Sequence, residues 1–407
     1  MSDAGRRGLF TGRFLLCTAS CFFLTLVFFI FYTGMPAFAT NVLGTDETMA
    51  GIIAGIFIAG DVLARLLAGS RMRSVGARRI ALSSLVLCIA MSSLYLVADT
   101  VPMVCVIGFL QGAAYGAAET AIYTMVIDGL PLDRRGEGLG YFMLNYSLAS
   151  AIGPFISISL QNEGSYDMIL VAGVIVSVLS AVMVMFVGKD RIEPVPHKHG
   201  NGFRMSDYFE RGALKMSLIM FLFFMSYSGV LTFIAPYGAE KGLEWYASVF
   251  FVVMSVSTLI CRMFLGKMYD RKGINRALVP FLLAYIAGMV MLGTVSSGPV
   301  MLLSAFMIGT MVAMLNMVSQ AAVVHDVDAS RYGVAVSTLN TFMDLSYMVG
   351  PVVNGVMIGY AGYSGNYLAM AVIAMFSFVL YLVLVGIPYH RSHGKGRVCG
   401  DVPYGKP

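Results

Sequence analysis

Charge is what this chain has least of. Asp, Glu, Lys and Arg make up 12% of its 407 residues, while 58% are hydrophobic, too few polar groups to clothe a soluble domain of this size. Cysteine is sparse and unpatterned. Cys17, Cys21, Cys88, Cys105 and Cys261 fall in apolar stretches and Cys399 near the C-terminus, without the spacing of a metal site or a disulfide framework. Histidine is also rare, and of its five copies only His325 lies in an apolar stretch, beside Asp326. His197 and His199 flank Lys198 in a polar segment that reads as a solvated basic linker rather than a metal site. No G-x-x-x-x-G-K-[ST] loop occurs, which argues against nucleotide-driven work. With neither a nucleophile and base nor a metal cluster inside the apolar stretches, an intramembrane enzyme is the remotest reading; the chain is expected not to be an enzyme and to hold no cofactor or metal.

What is present is apolar length. Twelve runs, at about 14–38, 48–70, 80–98, 102–127, 138–160, 168–188, 216–236, 246–266, 277–296, 299–325, 333–359 and 366–388, are each long enough to cross about 30 Å of hydrocarbon as a helix at about 1.5 Å per residue. We number them spans 1 to 12. The sequence therefore predicts an all-α membrane protein. Arg6, Arg7 and Arg13 before span 1, with Ala37-Phe38-Ala39 at its end, imitate a signal peptide, but the apolar run exceeds the roughly 7–15 residues of a signal core.

Basic residues sort by side. With the N-terminus inside, 24 of the 27 Lys and Arg fall in the inner segments; Lys241 is outside, and Arg65 and Arg262 lie within spans 2 and 8. Basic residues favour the cytoplasmic side, so both termini are expected there, in the cytoplasmic membrane. The net charge of +5 is thus a topology signal, and no nucleic-acid partner is expected.

The chain also repeats itself. Arg65, Gly69, Gly76, Gly112, Arg134, Gly136 and Gly153-Pro154 recur as Arg262, Gly266, Gly273, Gly309, Arg331, Gly333 and Gly350-Pro351, every pair 197 residues apart. Pro36 and Pro236 are 200 apart, so the register shifts between spans 7 and 8. Two related halves are expected: a bundle over 1–188, a cytoplasmic linker over 189–215, a second bundle over 216–388 and a cytoplasmic tail over 389–407. Such halves can rock about a site held between them. Gly153-Pro154 and Gly350-Pro351 are the expected bends of spans 5 and 11.

These features resemble the major facilitator superfamily. The resemblance covers nearly the whole chain and rests on two six-helix halves, a polar central loop, and a Gly-rich basic signature after span 2, where Gly69, Gly76, Arg78 and Arg79 stand. Its echo after span 8 carries Gly266, Asp270, Arg271 and Gly273. Arg73 occupies the place of the family's aspartate, and Ser74 that of its arginine. The stretch NYSLASAIGP in span 5 is similar, loosely, to the family's antiporter signature. The resemblance implies that Asp270 joins a cytoplasmic charge network latching the halves, that spans 1, 4, 7 and 10 line a central cavity, and that the protein is a monomer. From position, Arg73 is expected to meet Asp128 or Asp133 at the inner end of span 4.

An ionisable side chain inside a span is costly unless paired or hydrated, so each is a functional candidate. Asp61 and Arg65, four apart, share a face where they can pair. Arg65 and Arg262 are expected to be structural, reaching the inner headgroups. Gln111, Tyr115, Glu119 and Tyr123 form a polar stripe on span 4, answered on span 10 by Asn316 and Gln320; Asn340, Asp344 and Tyr347 form another on span 11. Glu119 and Asp344, taken as unpaired acids, are the candidates for carrying a proton, with Asp61 beside them. Tyr32, Tyr115, Tyr123, Tyr146 and Tyr227 offer aromatic faces to a cationic or amphiphilic substrate. The expected function is proton-coupled secondary transport of a small molecule, by antiport and most simply as efflux of amphiphilic, cationic or zwitterionic compounds. The alternative is import of a small metabolite or anion, which would want a basic residue deep in spans 1, 4, 7 or 10.

Overall fold

Backbone groups in hydrocarbon have no water to bond, so a chain this apolar satisfies them within helices. The computed structural model describes residues 10–386 apart from 132–133, 189–209, 326 and 328–330; inside its helices it leaves undescribed the side chains of 66, 69–74, 135–136, 263–274, 276–277, 313, 316–317, 321–322, 324–325 and 333. No strand occurs among the described residues. Spans 1 to 7 are the helices Gly12–Asn41, Glu47–Val75, Ala77–Leu94, Val101–Gly129, Arg135–Asn162, Tyr166–Phe186 and Leu214–Glu240, and span 10 is Gly298–His325. Spans 8 and 9 run together as Glu244–Gly293, and spans 11 and 12 as Tyr332–Tyr381. Each of these is 50 residues long. At about 1.5 Å per residue that is about 75 Å, more than twice the hydrocarbon thickness, so each holds two crossings. The chain is an all-α membrane protein of twelve helices in two pseudo-symmetric six-helix repeats.

Large apolar side chains also stand on the outside of the helices. Phe186, Val372 and Phe376 are 72%, 69% and 61% exposed, the pattern of side chains solvated by lipid. Turns reveal the repeat again. The positive-φ glycines of the turns after spans 1, 5, 7 and 11 come in pairs, Gly44 with Gly242 and Gly164 with Gly362, all at φ between 67° and 70°, where a Cβ would strain the backbone.

Close helix contacts repeat with them. In the first half span 2 lies along span 4, and span 1 against spans 5 and 6. A methyl group at Gly112 would overlap the Phe57 carbonyl; at Gly309 it would overlap the Met254 carbonyl. Phe57 and Met254 are themselves 197 residues apart, so the same notch joins spans 2 and 4 and spans 8 and 10. Gly153 admits Phe29 of span 1 in the same way that Gly350 admits Met225 and Ser228 of span 7. The helices continue through Pro154 and Pro351.

Compactness groups the chain differently from its sequence halves. One unit comprises Met1–Asn201, Leu231–Val252 and Pro351–Gly359, the other Gly202–Val230, Val253–Gly350 and Tyr360–Pro407. Within the first, the start of span 2 meets span 11: Gly51 abuts the Pro351 carbonyl and Gly355 the Glu47 carbonyl. There too, Asn162 at the end of span 5 donates to the Glu244 carbonyl at 3.1 Å and to Ser248 at 3.0 Å on span 8.

Candidate functional site: an arginine between two acids

Spans 2 and 4 touch backbone to backbone because glycines line their contact. Gly60 meets the Phe109 carbonyl, Gly112 that of Phe57, and Gly116 both the carbonyl and the carboxylate of Asp61. This approach carries Asp61 and Arg65 onto the flank of span 4. The Arg65 Nη2 donates to Asp61 Oδ2 at 2.8 Å and Oδ1 at 3.0 Å, and to Glu119 Oε2 at 3.0 Å. Tyr115, one turn from Glu119, donates its hydroxyl to Oε1 at 3.1 Å. The Asp61 side chain is 5% exposed, that of Glu119 25% and that of Arg65 35%. Charge-assisted bonds of this kind are among the strongest available to a side chain.

Two expectations change here. Glu119 is not an unpaired acid, since Arg65 bridges from span 2 to reach it, and Asp344, half-buried on span 11, also has interaction partners. Arg65 does not extend alone toward the headgroups, because both carboxylates hold it among the helices. Only the Asp61–Arg65 half of the cluster follows from i,i+4 spacing; the other half depends on the register of spans 2 and 4, which the glycines set.

The stripe on span 4 is also not one face. Each step of four residues overshoots a full turn by about 40°, so Gln111 and Tyr123 end far apart around the helix. Gln111 is fully buried and donates to Ser92 of span 3 at 2.9 Å. Ser92 in turn lies 3.3 Å from Ser177 of span 6. Gln111 therefore knits spans 3, 4 and 6 together and does not share the environment of Glu119. Tyr123 packs on Phe142 of span 5 at 5.8 Å.

Around the cluster the rings of Phe28, Tyr32, Phe57 and Tyr115 are all buried. Tyr32 stacks on Phe28 at 5.2 Å, and Tyr115 lies 5.4 Å from Phe28 and 5.8 Å from Phe57. Tyr146 meets Phe29 at 5.3 Å. In the other unit, Tyr227 bonds to the Met254 sulfur at 3.6 Å and faces Tyr347 at 6.4 Å. Asn340 is half-buried and Gln320 exposed, while the side chain of Asn316 lies outside the described residues. Arg262 is half-buried and has partners of its own.

In the signature after span 2, Gly76 takes φ 95° before span 3, and Arg78 donates to the Met185 carbonyl of span 6 at 3.0 Å. Arg79 is exposed. Gly69, Arg73, Gly266, Asp270, Arg271 and Gly273 lie outside the described side chains, as does Asp133, so the pairing expected of Arg73 and the network implied for Asp270 fall there too. Sequence reading missed Asn145 on span 5, which is 5% exposed and lies beside the Cys21 thiol of span 1. It also missed Glu210, which pairs with Arg331 and donates its backbone N–H to Thr338 at 2.9 Å. Among the described residues no group of three or more His, Cys, Asp or Glu could hold a metal.

Twelve spans in two repeats, with two acids and an arginine joined between helices of the first, define a polytopic membrane protein. The chain belongs to the Major Facilitator Superfamily, whose model matches residues 17–346 and 281–400. It is similar to the staphylopine export protein of Staphylococcus aureus, 23% identical over 62% of this chain and 66% of that protein. It is also similar to multidrug resistance protein 3 of Bacillus subtilis, 24% identical over 37% of this chain and 29% of that one. The matched part thus spans just under two thirds of the first relative and under one third of the second. The crystal structure of a mutant of the nucleoside transporter NupG superimposes with a TM-score of 0.79 at 12% identity, covering 92% of this chain and 100% of the other, a likeness of fold.

Proposed function

We propose that this chain is a proton-coupled secondary active transporter that exports small amphiphilic, cationic or zwitterionic compounds across the cytoplasmic membrane by alternating access. The halves 1–188 and 216–388 would move about a shared site, with the linker and both termini cytoplasmic and lipid and protons as the other partners. The observation that carries this reading is the Asp61–Arg65–Glu119 cluster with its Tyr115 donor. Within these three residues acids outnumber the base. Adding a proton to Glu119 releases Arg65 to Asp61 alone, and removing it restores the bridge, so one proton switches a contact between two helices. A substrate bearing a cation can do the same by competing with Arg65 for a carboxylate. Efflux draws support from the names of the two curated relatives, an export protein and a multidrug resistance protein.

The test is purified protein in liposomes under an imposed pH gradient, with an internal pH-sensitive dye and tetraphenylphosphonium and a zwitterionic amino-acid derivative as probes. Substrate-dependent proton movement is expected, and Glu119→Gln should reduce it by about tenfold or more, the loss of at least one strong interaction. Coupled movement that survives Glu119→Gln would end the proton assignment. A second reading, import of an organic anion, gains from Arg65: its guanidinium reaches span 4, which contains no Lys or Arg. Uptake of a carboxylate probe that vanishes in Arg65→Gln while ignoring the pH gradient would favour it.

A further inference from the structure

The members of the cluster are not equally open. The Asp61 side chain is 5% exposed, whereas that of Glu119 is 25% exposed and that of Arg65 35%. A charge left open within a span faces water rather than hydrocarbon, where it would cost too much. A molecule in that water therefore meets one carboxylate and one guanidinium in direct contact, at 3.0 Å, the second acid being buried.

The chemistry of this edge selects among ligand classes. Charge comes first. A bare cation drawn to Glu119 arrives beside the Arg65 guanidinium, and a bare anion drawn to Arg65 arrives beside Glu119; within a few ångströms and out of bulk water, like charges repel strongly. A ligand that carries both signs meets an opposite charge at each end. Hydrogen bonding comes next. Glu119 accepts from Arg65 at Oε2 and from Tyr115 at Oε1, and a carboxylate has about four lone-pair sites, so each oxygen can take another donor. A primary ammonium brings N–H donors; a quaternary ammonium or a phosphonium brings none. The aromatic surroundings agree. Tyr115, whose hydroxyl touches Glu119, is buried and packed on Phe28 and Phe57, which are buried too, and Tyr123, a turn further on, packs on Phe142. A lipophilic cation needs an aromatic face open to it, and the faces of Tyr115 are taken.

We propose that Glu119 and Arg65 are the specificity-determining pair and that their ligand is a zwitterion with an α-amino acid head, its primary ammonium donating to Glu119 and its carboxylate accepting from Arg65. The two protein charges touch, so the two ligand charges must also lie close together, as they do on a head with a single carbon between them. This rests on the reading above and narrows it to one of the classes named there, setting lipophilic cations aside. Asp61 then has a part of its own. Bonded to Arg65 through both oxygens, it keeps the guanidinium in place while the ligand's carboxylate draws it from Glu119.

The experiment is a binding series on the full chain in lipid nanodiscs, read as the ligand-dependent rise in thermal unfolding midpoint over a range of concentrations. The probes share one hydrocarbon part: phenylalanine; phenethylamine, which lacks the carboxylate; 3-phenylpropanoate, which lacks the ammonium; and N,N,N-trimethylphenylalanine, which keeps both charges without N–H donors. Tetraphenylphosphonium completes the series. Phenylalanine is expected to bind about tenfold or more tightly than each of the others, the worth of one charge-assisted hydrogen bond. In Arg65→Gln its advantage over phenethylamine should vanish, and in Glu119→Gln its advantage over 3-phenylpropanoate. Phenylalanine that binds no more tightly than any one of the other probes, or that does not bind, overturns the class on the unaltered chain, whether or not the variants fold. Advantages that both folded variants retain place the zwitterion elsewhere and overturn the role of the pair. Neither result touches the proton reading, which falls instead if substrate-driven proton movement survives Glu119→Gln.

Discussion

Arg65 and Arg262 occupy the same place in the two repeats, yet their companions differ. One turn before Arg65 stands Asp61, and Glu119 meets it from span 4; at the matching positions the second repeat has Thr258 and Asn316. Asp61 turns outward to the guanidinium, whereas Thr258 turns back on the backbone, donating to the carbonyls of Met254 and Gly309 at 2.9 Å each. The glycine notch beneath is the same in both, Gly112 on Phe57 and Gly309 on Met254. The packing notch is present in both copies, and the pair of acids beside the arginine in one. A helix contact depends on shape, which both halves need; the proton site proposed here depends on charge, and one copy is enough for it.

The comparison breaks most sharply at the arginines. Arg65→Ala strands Asp61 and Glu119, and loss of one partner from a buried pair costs about 3–5 kcal/mol; with the Arg65 side chain 35% exposed, the lower end, about 3 kcal/mol, is expected. The loss should appear as a lowered unfolding midpoint in detergent and should shrink by more than half when Asp61→Asn and Glu119→Gln are added, which puts neutral side chains beside position 65 as Thr258 and Asn316 stand at the matching positions of the second repeat. A loss unchanged by neutralising both acids would mean that the charges around Arg65 do not set it apart.

The glycine notches should behave alike instead. Gly112→Ala and Gly309→Ala each press a methyl group into a carbonyl of the neighbouring helix, an overpacking cost of about 1–3 kcal/mol. Thermal unfolding that separates the two by more than about 1 kcal/mol would deny the structural half of the comparison.

Removing the Tyr115 hydroxyl is gentler. Tyr115→Phe keeps the ring against Phe28 and Phe57 and deletes only the 3.1 Å bond to Glu119, worth about 0.5–1.5 kcal/mol net. Proton-coupled flux in liposomes should change by about two- to tenfold, and flux unchanged in Tyr115→Phe would deny the hydroxyl a part in the cluster.

Much of this is legible in the residues alone. Apolar run length gives the twelve spans, and the fixed offset of 197 predicts that Gly112 and Gly309 do the same work. Asp61 and Arg65 can be paired by helical spacing. The bond from Arg65 to Glu119 cannot, because it crosses between helices and spacing carries no interhelical register; Gly60, Gly112 and Gly116, at matching intervals on spans 2 and 4, are the signal available. Gln111 is misplaced by its sequence pattern because a four-residue stripe drifts round the helix. Asn145 opens the NYSLASAIGP stretch of span 5, yet no spacing within that stretch marks it out, and its burial does.

The smallest effect is expected where spans 5 and 11 begin and Arg134 and Arg331 are again repeat partners. Arg134 pairs locally with Glu137 at 3.0 Å, while Arg331 holds Glu210 at the end of the linker, far away in sequence. The Arg331 guanidinium first, and then the Gly212 N–H, hold the Glu210 carboxyl below the usual carboxylate range. A carboxyl lowered in this way contributes stability above its ordinary range and loses it as pH falls through the lowered value. Both partners face water, so the contribution is small and screened by salt. Unfolding midpoints measured on acidification should therefore fall slightly less in Glu210→Gln than in the parent chain, at low salt only. A parent and variant that track each other at low salt would show that the contact between Glu210 and Arg331 marks the place of the linker without holding it.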